Sequence, residues 1–102
     1  MKYYVIGDED TVLGFGMVGV DGAVVGNAAE AEAAFDTATS DPEVGILVVT
    51  ERAAEFVRPR VDRLLFSDGF PLIVEIPDRR GRMAGRPTIR EMVNTAIGIK
   101  LG

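Results

Sequence analysis

Three consecutive acids, Asp8, Glu9 and Asp10, follow a short apolar run that ends at Gly7. Carboxylates grouped at the end of a strand can hold Mg²⁺ or support phosphoryl transfer. A little further on, "GFGMVG" (Gly14–Gly19) matches the spelling G-x-G-x-x-G of a phosphate cradle. The match is by letter alone. The glycines do not directly follow the strand, and three acids beside them would repel a pyrophosphate. The phosphate-loop pattern G-x-x-x-x-G-K-[ST] is absent, because no lysine follows the second glycine of "GDEDTVLG". Acids that face a helix N-terminus, and glycines that allow close packing or a partner contact, are the plainer expectations for this stretch.

Composition narrows the chemistry further. The chain contains no cysteine and no histidine. Disulfides, thiolate nucleophiles, imidazole bases and Cys/His zinc sites are therefore unavailable. Only Ser40 and Ser67 could serve as serine nucleophiles, and neither has a histidine partner. No catalytic residue and no cofactor or metal ligand set is assigned. Five arginines, Arg79, Arg80, Arg82, Arg86 and Arg90, crowd one short stretch. Such a cluster can bind phosphates. Here it lacks interleaved aromatics, and the chain as a whole carries a net charge of −5. No nucleic acid is expected. A solvated hinge, or an arm docking on an acidic partner, fits better. The charge is uneven: residues 1–50 hold nine acids and one base, and residues 51–102 hold seven acids and ten bases. Such a chain meets partners by oriented charge.

The 102 residues suffice for one domain with a single modest core. No apolar run approaches the ~20 residues of a membrane helix, so no direct membrane insertion is expected. "MKYYVIGDED" turns acidic too early for a secretory signal, and a cytoplasmic home is expected.

The elements that must position these residues can be read in order. "KYYVIG" (Lys2–Gly7) reads as a buried strand. A short helix follows, weakened by glycines, with Asp10 or Thr11 as its expected N-cap. "AVVG" (Ala23–Gly26) reads as a second strand. Asn27 opens the clearest helix, with Glu30 three residues on as in a capping box. Ala31, Ala34, Phe35 and Ala38 give it one apolar stripe. "VGILVVT" (Val44–Thr50) is apolar throughout, as a central parallel strand should be. Thr50 caps the next helix, which Pro59 should kink or split. "FPLIVEIP" (Phe70–Pro77) is the fourth strand. "DRRGRMAGRP" (Asp78–Pro87) reads as a basic loop. A last helix from about Thr88 carries the stripe Ile89, Met92, Val93 and Ala96, with Ile97 beside it.

Alternating strands and helices imply an α/β fold: a small four-stranded, mostly parallel sheet between helices, Rossmann- or receiver-like in three layers. Residues 1–77 form the β/α body, and residues 78–102 form a mobile basic loop and C-terminal helix. In such sheets, sites collect at the carboxyl ends of the strands. That edge holds Asp8 to Asp10, Glu51 and Arg52, with Glu75 near the end of the last strand. A receiver domain also needs an acceptor Asp after strand three and a Lys after a later strand. Here strand three ends in "VVTER", and the only lysines are Lys2 and Lys100. The last helix stripe either completes the sheet packing or lays its apolar face on a partner helix.

Three separated motifs in register, "VIGDEDTVLGFGMVGV", "GILVVTER" and "PLIVEIP", resemble the F subunit of the rotary V/A-type ATPases and ATP synthases. The resemblance runs from Lys2 to about Pro77, and the tail is similar in kind. It implies a non-catalytic component of the central rotor stalk, with a β/α body and a mobile C-terminal helix. It implies binding to the coiled-coil D subunit of the stalk. It also implies rotation inside the catalytic A/B hexamer and a link to the membrane ring through another stalk component. The chain would lie in the cytoplasm, peripheral to the membrane. ATP hydrolysis would belong to the A/B subunits, with this chain coupling it to rotation and to proton or sodium transport, and modulating ATPase activity. The expected partner contacts are Ile89, Met92, Val93, Ala96 and Ile97 on the last helix and Arg79, Arg80 and Arg82 before it. The competing expectation is a receiver-like sensor or metal-dependent phosphotransfer module using Asp8 to Asp10.

Overall fold

The fold is described from a computed structural model, for residues 1–67, 69 and 71–78. The elements run β1 (Lys2–Gly7), α1 (Glu9–Gly16), β2 (Asp21–Val24), α2 (Ala28–Ser40), β3 (Val44–Thr50), α3 (Glu51–Phe56), α4 (Arg58–Leu65) and β4 (Leu72–Ile76). All four strands are parallel, in the order β2-β1-β3-β4. This is the α/β architecture that the alternating pattern implies.

Several local expectations hold for the reasons given. Asn27 caps α2: its side chain accepts from the Glu30 amide at 2.8 Å. Glu30 returns a carboxylate to the Gly26 amide at 2.8 Å, so two orphan donors at the helix start are satisfied. Thr50 caps α3 through the Ala53 amide at 3.2 Å. Pro59 splits the long helical stretch into α3 and α4. Val57 leaves helical geometry at the joint, and Pro59 sits at the start of α4, where its missing N–H costs nothing.

Other expectations are corrected. The cap of α1 is Asp8, not Asp10 or Thr11. Asp8 is extended, and its carboxylate accepts both the Thr11 amide and the Thr11 hydroxyl. β2 begins at Asp21 and ends at Val24, because its pairing with β1, Tyr4↔Asp21 through Gly7↔Val24, sets its limits. β4 is shorter than Phe70–Pro77, spanning Leu72–Ile76 opposite Ile46–Thr50; Pro71 and Pro77, just outside it, have no N–H to give a ladder. β1 is buried only in its second half, and Tyr3 is 51% exposed.

The two faces of the sheet differ. On one, Ile6, Leu47 and Val49 pack against Ala31, Ala34, Phe35 and Ala38 of α2, Ala53 and Ala54 of α3, and Val57 and Val61. The alanine stripe read from the sequence is the buried face of α2. It lets α2 approach the sheet closely. On the other face, α1 packs against β2 and β1. Gly22 shows why the contact needs glycine: a Cβ there would collide with the side chain and carbonyl of Val5 and press on Val12 of α1.

Candidate functional site

The carboxyl edge of the sheet is where the strand order reverses, between β1 and β3. Crevices at such switch points bind ligands in open α/β sheets. A cleft of about 390 Å³ opens here, lined among others by Asp8, Gly26, Thr50, Arg52, Phe56 and Asp78. It brings together residues from the ends of all four strands. Gly7 is required by the cleft wall, since a Cβ on it would lie 2.6 Å from Thr50 Cγ2.

The charged groups at this edge tie elements to one another. Asp8 holds the first turn of α1. Arg52 Nε stands 2.9 Å from Asp78 Oδ2, with the Asp78 side chain almost fully buried. Arg58 of α4 grips Glu75 of β4 with both terminal nitrogens, at 2.7 and 2.9 Å, and also donates to Glu55 at 2.8 Å. The Glu75 carboxylate raises the Arg58 pKa well above its ordinary value, against the opposing effect of burial. Thr50 occupies the end of β3, where a phosphate-accepting receiver would carry Asp. It is 1% exposed, and its hydroxyl serves as a helix cap. Among the described residues, no group of three or more acids, His or Cys is placed to hold a metal ion. The edge can brace α1, α3, α4 and β4 against one another, and its described residues do not form a nucleophile–base set.

Of the two expectations for the glycine-spaced segment, close packing or a partner contact, the described residues show no close packing at Gly14 or Gly16. Gly14 and Gly16 lie on α1, and a Cβ at either would meet nothing within 4 Å. Gly19 has φ +87°, the left-handed turn that leads toward β2. Around them Leu13, Met17 and Val18 are 64%, 82% and 78% exposed. This apolar tip went unnoticed in the sequence, although Leu13 and Met17 are four residues apart and so share a helix face. Replacing Gly14 or Gly16 with alanine should stabilise the isolated chain by roughly 0.5–1 kcal/mol each, since each adds helix propensity and no clash. Urea unfolding checks this, and a loss of stability would restore the close-packing reading.

Arg79, Arg80, Arg82, Ile89, Met92, Val93, Ala96 and Ile97 lie outside the described residues. No helix among the described residues is long and apolar enough to cross a membrane.

Known proteins are similar to this chain in sequence and in fold. The F subunit of the A-type ATP synthase of Methanocaldococcus jannaschii is 30% identical over 102 residues, covering 99% of both chains. That of Thermococcus kodakarensis is 36% identical over 115 aligned positions, covering 99% of this chain and 98% of its own. The crystal structure of the V-type ATP synthase F subunit from Archaeoglobus fulgidus shares the fold, with TM-score 0.59 at 21% identity, covering 74% of this chain and 95% of that one. Residues 4–93 match the profile of the ATP synthase (F/14-kDa) subunit, and the chain belongs to that family.

Proposed function

We propose that this chain is a non-catalytic component of the central rotor stalk in an A/V-type ATP synthase. It couples ATP turnover in the A/B hexamer to rotation and to proton or sodium transport, and it modulates ATPase activity. Its partners are the coiled-coil D subunit of the stalk, the A/B hexamer and the component that links the stalk to the membrane ring. It works on the cytoplasmic side, peripheral to the membrane. Family membership supports the complex. The observation that carries the role is the kind of surface the body presents: an exposed apolar tip, Leu13, Met17 and Val18, at the C-terminal end of α1. Surface of that kind takes up a partner. The stripe Ile89, Met92, Val93, Ala96 and Ile97, with Arg79, Arg80 and Arg82, supplies a second contact in this reading. No observation favours a receiver-like or phosphotransfer module, and Thr50 stands where its acceptor would be.

Affinity capture of the tagged chain from its native cells tests the proposal. Recovery of a coiled-coil stalk protein and two large ATPase subunits is expected. The variant Leu13→Asp/Met17→Asp should weaken binding to the purified coiled coil by roughly tenfold or more, the equivalent of about 1.4 kcal/mol. Met92→Asp/Val93→Asp should act in the same direction. A folded bait that captures none of these proteins overturns the stalk reading.

A further inference from the structure

α1 is covered on one side only. Its inner side lies on β2 and β1, yet none of its eight residues is fully buried. A helix this short, with Gly14 and Gly16 in it, has little stability of its own. Its outer side carries a groove of about 360 Å³, lined by Asp10, Thr11, Gly14, Phe15 and Val18. Asp10, Gly14 and Val18 follow at four-residue spacing and so form one ridge. Open space at Gly14 makes a notch in that ridge. Leu13 and Met17 form the next ridge, and both are exposed. From Asp10 to Val18 the groove runs ~12 Å, about two helical turns.

The charge of this surface has one sign. Residues 3–51 contain no lysine and no arginine. Glu9 and Asp10 are exposed at one end of the groove, and Asp21, three residues beyond Val18, is exposed at the other. Lys2 is held by Asp41 at 2.8 Å. The groove is therefore apolar along its middle and acidic at both ends.

We infer that this groove is the docking face for an amphipathic helix whose apolar stripe is flanked by lysines or arginines. A large apolar side chain of that helix enters the notch at Gly14, as ridges fit grooves between packed helices. Its basic flanks meet Glu9, Asp10 and Asp21, and this complementarity selects the partner. A second copy of this chain does not qualify, because its own α1 would set acids against acids. The inference deepens the stalk reading and rests on it for the source of the helix, which is the coiled coil.

The test is calorimetric binding of the full chain to the purified coiled-coil subunit, at low salt and at about 1 M salt, where screening acts within about 3 Å. Gly14→Leu fills open space on a helix surface, so the fold should persist. It should weaken binding roughly tenfold or more at both salt levels by closing the notch. Glu9→Gln/Asp21→Asn removes one negative charge from each end of the groove. It should weaken binding roughly tenfold at low salt and have little effect at about 1 M. Ala33→Lys/Thr37→Lys shifts the net charge equally at exposed positions of α2 and should leave the affinity within about twofold. Urea midpoints check that each variant is folded. If the unaltered chain binds and either groove variant is without effect, the inference is overturned and the stalk reading stands. Equal losses in the α2 control and the groove charge variant reduce the effect to net charge and overturn it too. If the unaltered chain does not bind the coiled coil, the stalk reading falls and takes the inference with it.

Discussion

Replacing Phe35 with alanine is expected to lower the free energy of unfolding by about 3–5 kcal/mol. Phe35 is the largest fully buried side chain of the described residues. It enters the core from α2, on a stripe whose other members are alanines. Those alanines have little side chain to move into the space its ring would leave, so the cavity would persist and its cost would add to the lost transfer energy. The ring also supports a link outside the core. The Arg60 guanidinium stacks over it at 5.6 Å and donates to Glu32 and Asp36 at 2.8 Å each, joining α4 to α2. A domain of this size has only about 5–15 kcal/mol of stability in all. Urea unfolding should show a lower midpoint with an unchanged slope. A loss below about 1 kcal/mol would mean that the site collapses easily and that Phe35 does not organise the core. Val24→Ala, at an exposed strand position, should change little by comparison.

The parts of this fold that were legible in the sequence are those decided by neighbours in the chain. α2 is the clearest case. Asn27, Glu30 and the stripe from Ala31 to Ala38 lie within about three turns, and each acts through contacts at i+3 or i+4. Pro59 is another, since the ring and the missing N–H act on the adjacent turn alone. β3 announced its central place by being apolar on both faces. What was not legible depended on partners distant in sequence. β2 starts at Asp21, an acid with poor strand propensity, because β1 supplies the pairing. The three acids after β1 gave no sign of which one caps α1; the extended backbone at Asp8 decides it. The grip of Arg58 on Glu75 joins residues 17 apart, and nothing in their local sequence marks them as a pair. The glycines were open to several readings for a related reason. The same residue type serves a strand-to-helix contact at Gly22, a turn at Gly19 and open surface at Gly14 and Gly16. Only packing separates these uses.

The Arg58–Glu75 pair yields the second large expectation. Glu75→Ala should cost about 2–3 kcal/mol, between the values for a buried and a surface pair. The intermediate value follows from exposure: the Glu75 side chain is 8% exposed and that of Arg58 21%. Removing the carboxylate leaves a guanidinium that is held partly out of water, with Glu55 and a longer contact to Asp62 as its remaining acids. The penalty is therefore mostly that of an uncompensated charge, and it need not equal the net worth of the pair. The double substitution Arg58→Met/Glu75→Leu separates the two. It removes both charges and fills similar volume, so it should be less destabilised than Glu75→Ala alone. Salt gives an independent check, because partly buried pairs are screened less than exposed ones. The coupling between the two positions should persist in about 1 M salt on the order of its low-salt value, whereas the more exposed Lys2–Asp41 pair should lose its own. A double-mutant coupling below about 0.5 kcal/mol would place Arg58–Glu75 among ordinary surface pairs. It would also mean that this pair does little to hold α4 to β4. α4 has no side-chain cap, and besides this pair it meets the core through Val61 and the partly buried Leu64, and α2 through Arg60.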